Sequence, residues 1–236
     1  MRLAAWIVSG VALTVCSGLS LAAQPARSSA AAPVETQAEV SFQFERAGLP
    51  VPRFTVQVRE DGTGSYQADV AEDVSYGASM GVEAGKQFER TMTLTPATVA
   101  KIFKMARELG RFDIACDSKA KNIADMGKKT LSYVGADGRG SCVYNYSENK
   151  SVTMLGNTFL GIAFTMDEGR RLEFLHRYDR LGLDAEMNTL AQDVEAGHAL
   201  ELGTIVPTLT AIANDMAVMQ RVRLRAAKML KQAKEK

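Results

Sequence analysis

The sequence predicts an α+β protein: an antiparallel sheet with one packed helix, followed by an all-helical C-terminal region. Three observations carry that reading. Apolar and polar residues alternate with period two from residue 40 to about 70. A capped segment of helical period follows at 95–110, and strand-like runs resume at 112–146. Beyond residue 159 the pattern is helical to the end. This divides the chain into a signal peptide (1–23), a flexible leader (24–38), an α+β domain (39–158) and a C-terminal helical region (159–236).

The N-terminus reads as an export signal, with Arg2, the apolar run "LAAWIVSGVALTV", and small residues for cleavage after Ala22 or Ala23. The run is too short to span a bilayer with a stop-transfer flank. "LTVC" at Cys16 is similar to a lipoprotein box, but Val15 stands where a small residue is needed, which argues against lipidation. No later segment is apolar enough to cross a membrane. The Ala-, Pro- and Ser-rich leader then gives way to strands. Val40, Phe42 and Phe44, then Phe54, Val56 and Val58, then Tyr66, Ala68 and Val70 form one face. Thr55, Gln57, Arg59, Ser65, Gln67 and Asp69 form the other. "EDGTG" supplies Gly62 and Gly64 for a hairpin. Residues 71–86 read as a loop, with a further strand at Phe88–Leu94.

In "LTPATVAKIFKMARELG", Thr95 caps, Pro96 sits where a missing N–H costs nothing, and Gly110 closes the helix. Val99, Ile102, Phe103 and Ala106 form its buried stripe. A strand at Phe112–Cys116 and a hairpin of "TLSYV" and "SCVYNY" through "GADGRG" complete the sheet. Thr165 and Glu168 have capping-box spacing for a helix ending near Gly182, and Asp184 caps the next, with Met187, Leu190, Ala191 and Val194 on one face. A long final helix begins near Thr204, with Pro207 in its first turn. Its seam of Ile205, Leu209, Ile212, Met216, Met219, Ala226, Leu230 and Ala233 docks on its own domain or pairs two chains in a homodimer.

Charge and motifs narrow the function. Without residues 1–23 the chain carries equal numbers of basic and acidic side chains, which argues against a nucleic-acid partner. Cys116 and Cys142 each share a predicted inward face, Cys116 with Phe112 and Ile114, Cys142 with Tyr144 and Tyr146. In an exported chain a disulfide is the economical outcome, stabilising by roughly 3 kcal/mol, provided the Cα atoms lie within about 7 Å. Two buried inert thiols are the fallback. A reactive Cys142 would need a histidine, of which only His176 and His198 exist; a Cys142–His176 pair would make an activated nucleophile, but no local motif supports it. No CxxC or HExxH marks a metal site, and no GxGxxG, Walker loop or GxSxG elbow marks a cofactor or acyl-transfer site, so neither metal nor cofactor is expected. Ser118–Lys121 and Ser147–Lys150 match SxxK, but both lie in predicted loops rather than opening a helix. Asn145 and Asn149 head glycosylation sequons.

The run "FTVQVREDGTGSY…LTPATVAKIFKMARELGRFD…KKTLSYVGADG", over about residues 50–146, resembles uncharacterised secreted bacterial proteins. In these, a "DGTG-aromatic" hairpin precedes a helix, an "FFD"-like strand and another hairpin. The resemblance implies a small α+β fold and brings over no activity and no catalytic residue.

One stretch stands out as a surface. Arg170, Arg171, His176, Arg177, Tyr178 and Arg180 gather around a helix end, where they would engage an unknown protein or an acidic envelope ligand. Ion pairs with Glu168, Glu173, Asp179 and Asp184 would otherwise absorb these arginines. The expected protein is therefore an exported, periplasmic or extracellular, non-enzymatic binding or interaction module. The alternative is a small periplasmic hydrolase using Cys142 or a loop serine with His176.

Overall fold

The structure, a computed structural model, describes residues 37–69 and 87–235. The signal peptide, Cys16, most of the leader, Val70 and the 71–86 loop lie outside the described residues. Six strands form one antiparallel sheet in the order β4-β3-β2-β1-β5-β6. They are β1 (Glu39–Glu45), β2 (Arg53–Arg59), β3 (Thr63–Asp69), β4 (Gln87–Thr93), β5 (Lys128–Gly135) and β6 (Gly138–Tyr144). The first four form a meander, and β5 returns to pair with the free side of β1. Ala38, assigned to the leader, is buried and accepts a backbone hydrogen bond from Glu60, so the fold starts inside that segment.

The period-two pattern sets the inward face. Phe42 stands opposite Val56 on one side and Leu131 on the other, and all three are fully buried. Phe42 stacks on Phe159 with ring centroids 5.3 Å apart, and Phe54 links Phe42, Phe44 and Tyr66 into one aromatic cluster. The outward face carries Ser41, Gln43, Thr55, Gln57, Ser65, Gln67, Thr130 and Ser132, the polar side of a half-buried sheet. At the hairpin between β2 and β3, Asp61 accepts from the Thr63 N–H and hydroxyl while Gly62 takes a positive φ of 88°.

Helix α1 (Pro96–Glu108) buries Val99, Ile102, Phe103, Met105 and Ala106 against the sheet. Thr95 caps it, and the αL residue Gly110 follows its end. The next segment departs from the expected strand. Gly110, Arg111 and Phe112 all have positive φ and form a single left-handed turn, after which the chain is irregular through Cys116. Two non-glycine residues accept that strain because Phe112 gains complete burial. Ile114 loses its place inside and is exposed. Gly140 makes the approach feasible, since a Cβ there would lie 2.4 Å from the Arg111 carbonyl oxygen.

Helix α2 (Lys150–Tyr178) is the spine of the molecule, about 43 Å long at 1.5 Å per residue. Its cap is Asn149, which accepts from Ser151 and Val152 N–H groups. Thr165 and Glu168 are therefore interior, not a capping box: the Thr165 hydroxyl donates to Gly161 C=O at 3.0 Å, and Glu168 is buried. Position 158/159 falls inside this helix. The buried apolar residues of α2 up to Met166 belong to the sheet core, and from Leu172 onward α2 belongs to a second apolar cluster, against which Phe164 also packs.

That second cluster is built with α3 (Gly182–Ala196), α4 (Val206–Asn214) and α5 (Gln220–Glu235), a 3-10 turn at Leu202–Ile205 leading into α4. Asp184 lies within the first turn of α3 rather than capping it. The expected long final helix is broken into three pieces. After α4, Asp215 turns the chain by accepting from the Ala217 N–H at 2.9 Å, and Met216 swings out to solvent. Ile205, Leu209, Ile212 and Ala226 are buried inside their own chain, so the seam is neither continuous nor open. Among the described residues no helix is long and apolar enough to cross a membrane.

Candidate functional site

The cysteines are joined, with Cα atoms 5.7 Å apart. Cys142 lies on β6 opposite Leu131, and both are buried. Cys116 arrives by a route other than a strand. Ser118 N–H donates to Tyr146 C=O at 2.8 Å, and Asp117 accepts from Asn145 N–H at 3.0 Å, laying the segment along the end of β6. Tyr146 itself is past the strand and exposed. A sulfur held in a disulfide is no thiolate, which removes Cys142 as the nucleophile of the hydrolase reading.

The other residues of that reading are engaged elsewhere. Ser118 Oγ donates to Glu148 at 3.0 Å, and Ser147 Oγ accepts from Asn149 N–H at 3.3 Å. His176 Nε2 donates to Asp215 at 2.9 Å, and the exposed His198 pairs with Asp193 at 3.2 Å. Among the described residues no three His, Cys, Asp or Glu side chains gather as a metal set.

The Arg/His stretch divides by helix face. Arg170 is buried, 3.2 Å from Asp167 and beneath the Phe88 ring. Burial raises the Asp167 pKa while Arg170 and Tyr66 oppose it. Arg171 pairs with the buried Glu186 at 3.0 Å. Of the acids the sequence proposed for them, Glu168 feels the Arg171 charge and Glu173 that of Arg170, while Glu173 also takes Arg90 bidentately and the Thr208 hydroxyl, and Asp184 takes Arg221 and Arg225.

His176, Arg177, Tyr178 and Arg180 do come together, at the turn between α2 and α3. The Asp215 carboxylate ties that turn to the one between α4 and α5, accepting from His176 and lying 3.5 Å from Arg180. The Ala217 N–H, His176 and Arg180 hold Asp215 below the usual carboxylate range. Three apolar side chains project from these joined turns: Tyr178 at 66% exposure, Leu181 at 80% and Met216 at 77%. Arg177 lies over the Tyr178 ring, and Arg223 donates to the Met216 sulfur at 2.9 Å. Leu181, Met216 and Arg223 escaped the sequence reading. Met216 was assigned to a buried seam, and only the break after Asn214 exposes it.

A second feature was legible only in part. Glu168 on α2 and Glu186 on α3 are both buried and face each other, with Glu168 Oε2 lacking a hydrogen-bond partner. Burial, then the Glu186 carboxyl, push the Glu168 pKa up to about 8, with Arg171 opposing. A cleft of about 450 Å³ lies between α1, α3 and α5, and at one side of it Lys101 donates to the Thr158 hydroxyl at 3.4 Å. Glu201 accepts from the Thr95 N–H and from the Thr95 and Thr98 hydroxyls, so it completes the α1 cap. No protein-family model matches this sequence, and no curated protein aligns with it.

Proposed function

We propose that this chain is an exported, envelope-associated binding module without an enzymatic role, and that the two turns joined by Asp215 are its contact surface for an anionic lipid layer. The observation behind this reading is the pairing of exposed apolar tips with arginine. Tyr178, Leu181 and Met216 stand out from the turns, bordered by Arg177, Arg180 and Arg223. Apolar tips gain about 1.5–3 kcal/mol each when buried, and each cation near an anionic surface adds about 1 kcal/mol. The reading is further supported by the disulfide, which suits an oxidising compartment.

The test is partitioning onto vesicles of neutral phosphatidylcholine with and without phosphatidylglycerol. The chain binds the anionic vesicles in a salt-dependent way, and Leu181→Asp with Met216→Asp lowers partitioning at least about tenfold. Arg177→Ala with Arg180→Ala removes the preference for the anionic lipid. Equal partitioning onto both vesicle types, or none onto either, sinks the proposal.

A further inference from the structure

Met216 is more than an apolar tip. At 77% exposure it is the barest methionine among the described residues, ahead of Met126 and Met154 at 50% each. Among those methionines it is also the one whose sulfur takes a hydrogen bond, from an Arg223 N–H at 2.9 Å. A thioether has two lone pairs, so the other stays open to water and to whatever is dissolved in it.

The donor is an arginine short of acceptors. Arg223 is half-buried in the first turn of α5, a turn with no acidic residue to offset the positive end of the helix dipole. Arg221 and Arg225 both reach the Asp184 carboxylate, at 2.8 and 3.2 Å. Two residues along a helix turn a side chain by about 200°, so Arg223 does not share that face. Among the described residues no carboxylate stands within ion-pair distance of it, and its Nε is buried without a partner. A guanidinium with five donors is left with a thioether, among the weakest acceptors a protein offers. One added oxygen changes that balance. A methionine sulfoxide is polar, and its oxygen accepts from a cationic donor far more strongly than sulfur does.

We propose that Met216 is an oxidation site that controls the lipid contact: a hydroperoxide converts its thioether to the sulfoxide, and Arg223 holds the new oxygen. The sulfur lone pair attacks one peroxide oxygen, and the O–O bond breaks as the S–O bond forms. Sulfur is oxidised by two electrons. The proton of the transferred hydroxyl passes to the departing hydroxide, which leaves as water. With most of its surface in solvent, the Met216 side chain has room to turn the oxygen toward the guanidinium. An apolar tip has then become a polar group tied back to the protein, while Leu181 and Tyr178 are unchanged. The chemistry stands on Met216 and Arg223 alone, and its effect on binding rests on the lipid-contact reading.

The test treats the whole chain, disulfide intact, with excess hydrogen peroxide and follows each methionine by peptide mass mapping. Met216 gains its oxygen before Met126 and Met154, and the side-chain N–H resonance of Arg223 shifts as it does. Partitioning of the oxidised chain onto phosphatidylcholine vesicles containing phosphatidylglycerol falls about tenfold. Met216→Leu, of similar size and inert to peroxide, partitions alike before and after the treatment. Oxidation of the three methionines at equal rates, an Arg223 resonance that does not move, or a loss of partitioning that Met216→Leu fails to prevent would each overturn the proposal. If the untreated chain ignores these vesicles, the lipid reading falls by itself, and the order of oxidation and the Arg223 resonance still decide the site.

Discussion

Replacing Glu168 with Gln should raise the stability of the protein at alkaline pH and leave it nearly unchanged in acid. The carboxyl titrates near its ordinary value of 4.5 when the chain is unfolded and at about 8 when folded. Between those values the folded state holds a proton that the unfolded state has lost. Stability therefore falls as pH rises, by up to about 1.4 kcal/mol per pH unit and at most about 5 kcal/mol across the window. The contribution is whole below pH 4.5 and gone above about 8. Glutamine keeps the shape and cannot ionise, so the variant lacks that slope. Its amide can donate to Glu186, which Arg171 already holds at 3.0 Å. Groups that titrate in the opposite sense, such as Asp184 and Asp215, are common to both proteins and cancel in the difference. Urea unfolding followed by circular dichroism at pH 4.5, 6, 8 and 9 measures it directly. Wild type and variant should diverge by several kcal/mol toward pH 9, with the variant the more stable. Parallel curves would refute the argument, because they would mean that Glu168 ionises freely in the folded state.

Two further outcomes follow from the packing. Replacing Cys116 and Cys142 together with Ser opens a loop of sequence separation 26 and should cost about 3.5 kcal/mol in the chain-entropy account, read as a drop in the urea midpoint with a somewhat steeper slope because the freed unfolded chain exposes more surface. Glu201→Ala removes the acceptor that Thr95 and Thr98 share at the start of α1 and should cost about 1–3 kcal/mol, with faster hydrogen exchange at the amides of Thr95 and Thr98. An unchanged exchange rate there would show that Thr95 alone caps the helix.

Local periodicity was enough to recover most of the sheet and the first helix. The inward faces of β1, β2 and β3 follow from strict alternation, since a one-residue slip would turn every Phe and Val out to water. Thr95, Pro96 and Gly110 bound α1 because capping satisfies backbone groups within a few residues. The cysteine pairing was legible although half of its stated reason was not. Cys142 is a strand residue facing the core, whereas Cys116 is turned inward by a left-handed turn that no alternation encodes.

The candidate surface was legible only where neighbours in sequence remain neighbours in space. His176, Arg177, Tyr178 and Arg180 share one helix end, so their grouping was visible. Arg170 and Arg171 are adjacent in sequence but project in different directions from a helix packed on both sides. The helical period in the last third of the chain was real, but period alone does not reveal a break. Asp215 ends α4 because its carboxylate meets the Ala217 N–H, His176 and Arg180 at once, and two of those partners lie more than thirty residues away.

By itself, then, the sequence determined which residues of β1, β2 and β3 alternate, that Thr95 opens the first helix and that Cys142 faces inward, because those are contests between a residue and its immediate backbone or between one face and water. Only the tertiary structure decided which charges are buried, which are paired and which stand alone. Glu168 against Glu186 and the bared side chains of Leu181 and Met216 arise from segments distant in the chain meeting in space. The energy of a charge or an apolar group is set by what surrounds it in three dimensions, and no local pattern carries that information.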